Sequence, residues 1–582
     1  MREQSSGGPG AGMQDDVALT RRRWVRALMG GVVTGRPQGW HRCPLHPKHT
    51  CRHRRTCRHR LHRKPSRHAG LPSPPPGTPT ELPPGLPPTP PVIVNPTPPS
   101  GVPTPLPVGE ALPADVLRVL SRFSYGYGAG LHEQVRAAGG WPGWFEQQLD
   151  PASIADPRAD GLLSWWPSLS MGYDGIWKLH QDGTQPGWVS VAHYARWCLL
   201  RRVYSTRQLH EVISEFWEDH LHIPLSDDLV FPFRGDYGMV VRKHALGRFT
   251  DLLQAAITHP AMSLSLDNAF STKWAPNENL GRELLELHTV GAGNYTEDDV
   301  KTSARILTGF QVDTWRTWAP SYNPQRHWTG PVSVLGFTSA NADPDGRAVI
   351  AAYLDHLAHH PLTARRLARK LAVRFVGDDP PAALVERLAQ TYLDHDTDIR
   401  PVLRALAQAP ELRSAAPKVR TPLGDLVATY RALEVDVHPP TSDESGANSL
   451  LWFAYSLGQP PFEWPRPDGP PADDASWSST SRVLASMDFH LTTGGGWWPD
   501  VDMTYRAYAS WLPAEPTAFA DVVDRLSVRL FATRAAPRVV QACVEALGIA
   551  PTTLIGHQHA LATWRMPHLL AVLLDSPDHL LH

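Results

Sequence analysis

Apolar and polar positions are most sharply sorted between residues 276 and 309. Leu280, Leu284 and Leu287 recur at spacings of four and three, the period of a helix with one apolar stripe. Asn279, Arg282, Glu283 and Glu286 recur at three, one and three, so they share a second face of that helix. Such a face is either solvated, with local Arg–Glu pairs, or lines a polar site. Helical periodicity also covers Asp115 to Phe123, a segment opening at Trp141, and Trp188 to His222, which breaks around Ser205-Thr206. It continues through Tyr237 to Phe270, through Pro344 to Leu412, and through the last 65 residues, including Val522–Leu530, Val539–Leu547 and His557–Leu574. Thr296 and Asp299 bracket the start of another helix as a capping box. Only Gln311 to Gly336 lacks this period, and it predicts a short hairpin. The fold class expected is all-α, a large multi-helix domain over 113–582 with a small irregular hairpin insertion.

The first 112 residues follow another pattern. Leu71 to Pro107 is so rich in proline that it predicts an extended spacer, giving a linker over 71–112. Residues 36–70 form a basic segment in which Cys43, Cys51 and Cys57 alternate with histidines and arginines, without the spacing of a zinc finger. Residues 1–35 carry Arg21-Arg22-Arg23 before a short apolar run, which resembles a twin-arginine export signal without a clear cleavage site. Both ends of this N-terminal region predict a disordered head on a folded body.

Charge sharpens that division. The chain of 582 residues holds 56 Lys and Arg against 57 Asp and Glu, yet residues 1–70 hold 16 basic residues against three acids. A basic head suits contact with anionic envelope polymers; an acidic body is no nucleic-acid binder by charge. Cys198 and Cys543, the two cysteines of the body, read as buried thiols. No apolar run reaches the length of about 18 residues that a transmembrane helix needs.

Three segments bear a family resemblance. NENLGRELLELHTVG at 277–291, YTEDDV at 295–300 and ARILTGF at 304–310 resemble the signature of the bacterial "domain of unknown function 1800" family. FWEDH at 216–220 is similar to the family's FWxxH box, which nominates His220. His222 lies two further on and points elsewhere unless the helix stops there. The helix with Arg365, Arg366, Arg369 and Lys370 resembles the family's lysine-leucine element. Near His327 the chain departs from its relatives: Trp328 stands where the family has an acid, and Val332 where it has a lysine. The resemblance carries no established reaction. It implies an exported protein, often encoded beside a second exported protein.

Two functions follow. In the first, the chain is an exported hydrolase or metal-dependent enzyme with its site on the central helix. Glu283, Glu286 and His220 would be catalytic, with Arg282, Asn279, His288 and His327 binding substrate. Paired carboxylates suit general acid and base work, and Glu283 and Glu286 with a histidine would suit a divalent metal. In the alternative, the chain is a non-catalytic envelope scaffold or binding protein, and the polar cluster is a structural network.

Overall fold

The computed structural model describes residues 110–582, together with a two-residue antiparallel pairing of His41–Arg42 with Thr50–Cys51. The export-like motif of 1–35, most of the Cys/His-rich segment of 36–70 and nearly all of the proline-rich linker of 71–112 lie outside the described residues.

From Ala114 onward the chain is helical, and every sheet among the described residues is a two-stranded antiparallel pair. The fold class is all-α, as the periodicity predicts. The aperiodic stretch forms two hairpins: Phe310–Val312 pairs with Pro320–Tyr322, and Val332–Val334 with Phe337–Ser339. No described helix is long and apolar enough to cross a membrane.

The core is laid around the Gly187–Tyr204 helix, twelve of whose residues are buried, Arg201 and Arg202 among them. It ends at Tyr204, and the next helix, Gln208–His220, begins after a turn pinned by the Gln208 amide, which donates to the carbonyls of Arg202 and Ser205. Buried arginines need buried acids. Glu211 takes a bond from Arg201 at 2.9 Å and bonds from Arg242 at 2.7 and 2.8 Å. Glu218 accepts from Arg234 at 3.2 Å and from Tyr194 at 2.8 Å. These pairs fix the rotation of Gln208–His220 and thereby aim its last turn.

The central segment starts as the α-helix Glu278–Glu283 and continues as a π-helical turn, Leu284–His288. The extra residue in that turn shifts the expected stripe. Leu280 and Leu284 are buried as predicted, but Leu285 and His288 join them while Leu287 is left half-buried. Gly281 lets this helix lie against Glu297–Ile306, where a Cβ would come within 2.8 Å of the Ala304 nitrogen. The capping box of Thr296 and Asp299 forms. Cys198 and Cys543 are buried free thiols. The boundary that moves furthest is that of the last long helix, which starts at Met566 rather than His557. Pro567 fits a first helical turn but not an interior, where it would remove a hydrogen bond.

Candidate functional site

The Pro361–Phe375 helix turns two faces to different surroundings. Leu367, Ala368, Leu371, Ala372 and Phe375 are buried in the core. Arg366, Lys370 and Arg374, four apart, share the other face with Arg369. This basic face forms one wall of a cavity of about 350 Å³. The last turn of Gln208–His220 forms a second wall through Glu215, Asp219 and His220, and the proline-rich loop of 459–472 closes the third. An adjoining cavity of about 240 Å³ shares Glu215, Asp219, Gln459 and Pro470, so the two make one cleft. Gly469 seats the loop: its φ is +73°, and a Cβ there would lie 2.0 Å from the Asp219 carbonyl oxygen.

At the floor, two histidines tie the helix end to the π turn. The His220 Nε2–H donates to the His288 carbonyl at 3.1 Å, and the His288 Nδ1–H donates to the His220 carbonyl at 3.0 Å. This reciprocal pairing fixes both tautomers. It leaves the His220 Nδ1 lone pair to accept from Lys370 Nζ at 2.9 Å. Burial, then Lys370, pushes the His220 pKa well below its usual value, and burial takes His288 down to about 3, so both rings are neutral. His288 Nε2 is buried with no hydrogen-bond partner.

The groups facing the cleft are perturbed in opposite directions. Burial, reinforced by Arg366, lowers Lys370 to about 8. Burial, reinforced by Glu215, pushes the Asp219 carboxyl well above the usual carboxylate range, against the pull of Arg202 and Arg374. Glu215 is spoken for: it pairs with Arg202 at 3.0 Å and Arg374 at 3.1 Å and accepts from the Tyr125 hydroxyl at 2.9 Å. Asp468 pairs with Arg466 at 3.0 Å. Arg366 donates to the Leu287 carbonyl, and Arg369 makes no ion pair among the described residues. The cleft therefore sets Arg369, without an ion pair among the described residues, beside an acid whose carboxyl is held above its usual range.

The residues nominated from sequence fall at different depths. His220 lines the cavity and His288 lies directly behind it. Glu283 and Glu286 line neither cavity. Burial and then Glu286 raise the Glu283 pKa, with Asp468 contributing, and Glu286 accepts from the Tyr295 hydroxyl and acts on Arg366. Arg282 reaches Glu297 at 2.7 Å and Glu278 at 3.4 Å, both local partners. The Asn279 amide donates to Asp267 at 3.3 Å. His327 is buried among the hairpins, held by the Thr308 carbonyl at 2.9 Å and Asn341 at 3.0 Å. The Gln208–His220 helix does stop at His220, and the His222 ring turns toward the adjoining cavity, bonding the Trp464 carbonyl at 2.8 Å. Asp219, Lys370 and Arg366 were not nominated. The signal of the two basic residues was available in the four-residue spacing of 366, 370 and 374, and Asp219 stands within the FWEDH segment.

A second polar cluster lies in the core. Asp425, His490 and His579 place three donor atoms within 4.8 Å of one another, the grouping among the described residues that could hold a metal ion. The expected metal site at Glu283 and Glu286 is not such a grouping, because Arg366 and Tyr295 are the neighbours of Glu286. Burial opposes charge on Asp425, but His490 and His579 outweigh it and hold its pKa well below the usual range. Against the same opposition, Asp425 and Asp575 raise His490 to about 9, while burial takes His579 down to about 4.

No curated protein and no solved structure matches the chain. A family model described as "Protein of unknown function (DUF1800)" matches residues 118–581, which span both polar clusters and nearly all of the helical body. The chain therefore belongs to the DUF1800 family.

Proposed function

We propose that the chain is an acid–base enzyme that hydrolyses an anionic substrate in the cleft between the Gln208–His220 and Pro361–Phe375 helices. The observation that carries this reading is the contact of Lys370 Nζ with His220 Nδ1 at 2.9 Å inside a positively charged cavity. His220 positions the amine. With its pKa lowered to about 8, Lys370 lines the cavity and is in part free base at neutral pH, which lets it act as the base. Asp219, its carboxyl pushed upward by burial, serves as the acid that meets the leaving group. Arg366 and Arg369 hold the anionic part of the substrate. Glu286 acts on Arg366 from outside the cavity, and His288 keeps His220 in register. Arg282, Asn279 and His327 support the surrounding helices and hairpins.

Export, read from residues 20–26, belongs to the same proposal, as does a partner protein outside the cell membrane. A purely structural role has one observation in its favour: Glu211 and Glu218 hold their arginines in closed networks of the kind that fix packing. The two readings separate in a screen of soluble carboxylic, phosphate and glycosidic esters with the wild-type chain, Lys370→Met and Asp219→Asn. Removing a general acid or base costs about 10²–10⁴-fold. On this reading kcat/KM rises through pH 8 and both variants lose that much. Activity identical in all three chains, or none on any substrate class, rejects it.

A further inference from the structure

Asp425 sits in the first turn of the Pro422–Ala432 helix, four residues after Thr421, which lines the cleft. Its Oδ1 lies 2.9 Å from His490 Nε2 and 3.0 Å from His579 Nε2. The three residues come from three separate helices, Pro422–Ala432, Thr480–Gly494 and Pro577–Leu580, and are almost fully buried. Metal bonds of about 2.0–2.1 Å in tetrahedral or octahedral geometry set neighbouring ligand atoms roughly 3.0–3.4 Å apart. The carboxylate oxygen therefore stands at ligand-to-ligand spacing from each nitrogen, and all three donor atoms lie within 4.8 Å of one another.

The groups around them are those that orient metal ligands. The other ring nitrogen of His490, Nδ1, faces Asp575 Oδ1 at 2.6 Å, the carboxylate–histidine arrangement that sets a ligating ring and raises its basicity. Asp425 Oδ2 accepts from Ser486 at 2.7 Å and from Arg482 at 3.4 Å, which leaves Oδ1 for the cation. The Thr429 hydroxyl, one turn after Asp425, lies 3.0 Å from His579 Nε2 and adds a fourth donor atom beside the three. On the Thr480–Gly494 helix, Arg482, Ser486 and His490 recur every four residues, so one helix face serves the cluster.

We propose that Asp425, His490 and His579 bind a divalent transition-metal ion of the zinc or iron(II) class, with Thr429 beside it. Two histidines and one carboxylate suit such ions, whereas oxygen-only sites suit calcium or magnesium. The cation takes the place of the Nε2 protons of both rings: His490 keeps its Nδ1–H on Asp575, and neutral His579 takes its Nδ1–H tautomer. Because the cluster is closed to solvent, its part is to fasten the Pro422–Ala432 helix, and with it the Thr421 wall of the cleft, to the C-terminal helices. This inference does not depend on the reaction proposed for the cleft.

The test uses the full chain, stripped with a chelator and titrated with Co²⁺ and Zn²⁺. Cys43, Cys51 and Cys57 are replaced by serine to silence thiolate binding in the head. The expected result is one more tightly bound equivalent than in the same chain carrying His579→Gln. The melting temperature of the chain without that variant should rise by several degrees with Zn²⁺ and fall again with EDTA. Equal stoichiometry in the two chains overturns the proposal. If His579→Gln does not fold, the unsubstituted-histidine chain decides alone: a melting temperature indifferent to Zn²⁺ and EDTA overturns it.

Discussion

Lys370 gives the sharpest quantitative expectation. With its pKa lowered to about 8, roughly one-tenth of the amine is free base at pH 7. An ordinary lysine near 10.4 would have about one part in 2,500, so the nucleophilic form is roughly 200-fold enriched. Burial is the larger cause and Arg366 the next. Arg366→Gln should therefore raise the Lys370 pKa and lower its reactivity, leaving the burial contribution in place. The assay is labelling with a limiting amine-specific reagent across pH 6 to 11, read peptide by peptide by mass spectrometry. The expected profile at Lys370 has its midpoint near 8 and moves upward in Arg366→Gln. Labelling of Lys370 no faster than that of exposed Lys301, or a midpoint unmoved by Arg366→Gln, would refute the account of this wall.

Other expectations concern the frame that aims the site. Glu211→Gln leaves Arg242 buried without its acid, takes from Arg201 the nearest of its three, and should cost about 3–5 kcal/mol in chemical denaturation. The pH dependence has a defined sign. Burial opposes the Glu211 carboxylate, but Arg242 and Arg201 bring its folded pKa down to about 2. Its contribution is thus complete above about 4.5 and is lost as pH falls toward 2, a loss that a pH series should show in wild type and not in Glu211→Gln. Gly469→Ala places a Cβ against the Asp219 carbonyl at positive φ and should destabilise the chain by about 1–3 kcal/mol, with faster proteolysis confined to the 459–472 loop.

The helical class was legible because long segments keep a 3.6-residue period, and the capping box of Thr296 and Asp299 was legible because its chemistry is local. The π turn at Leu284–His288 was not, since an i→i+5 hydrogen bond has no side-chain signature; it carries His288 inward beyond the expected stripe. Sequence spacing grouped Arg282 with Glu283 and Glu286 on one face. It could not tell that Arg282 would find Glu297 fifteen residues on, while Glu286 would look toward Arg366. His220 was reached through its motif, but its partner Lys370 is 150 residues away. The Asp425 cluster joins residues 65 and 154 positions apart, and only the four-residue recurrence of Arg482, Ser486 and His490 hinted at it.

The central claim is that the positive cleft receives an anionic ligand. Calorimetric titration with inorganic phosphate tests it most directly, using wild type, Arg366→Gln, Lys370→Met and the control Arg365→Gln, whose side chain pairs with Glu386 outside the cavity. The account predicts saturable binding that weakens at least tenfold in both cleft variants and stays unchanged in Arg365→Gln. Equal affinity in all four folded chains, or no binding to any, would contradict it.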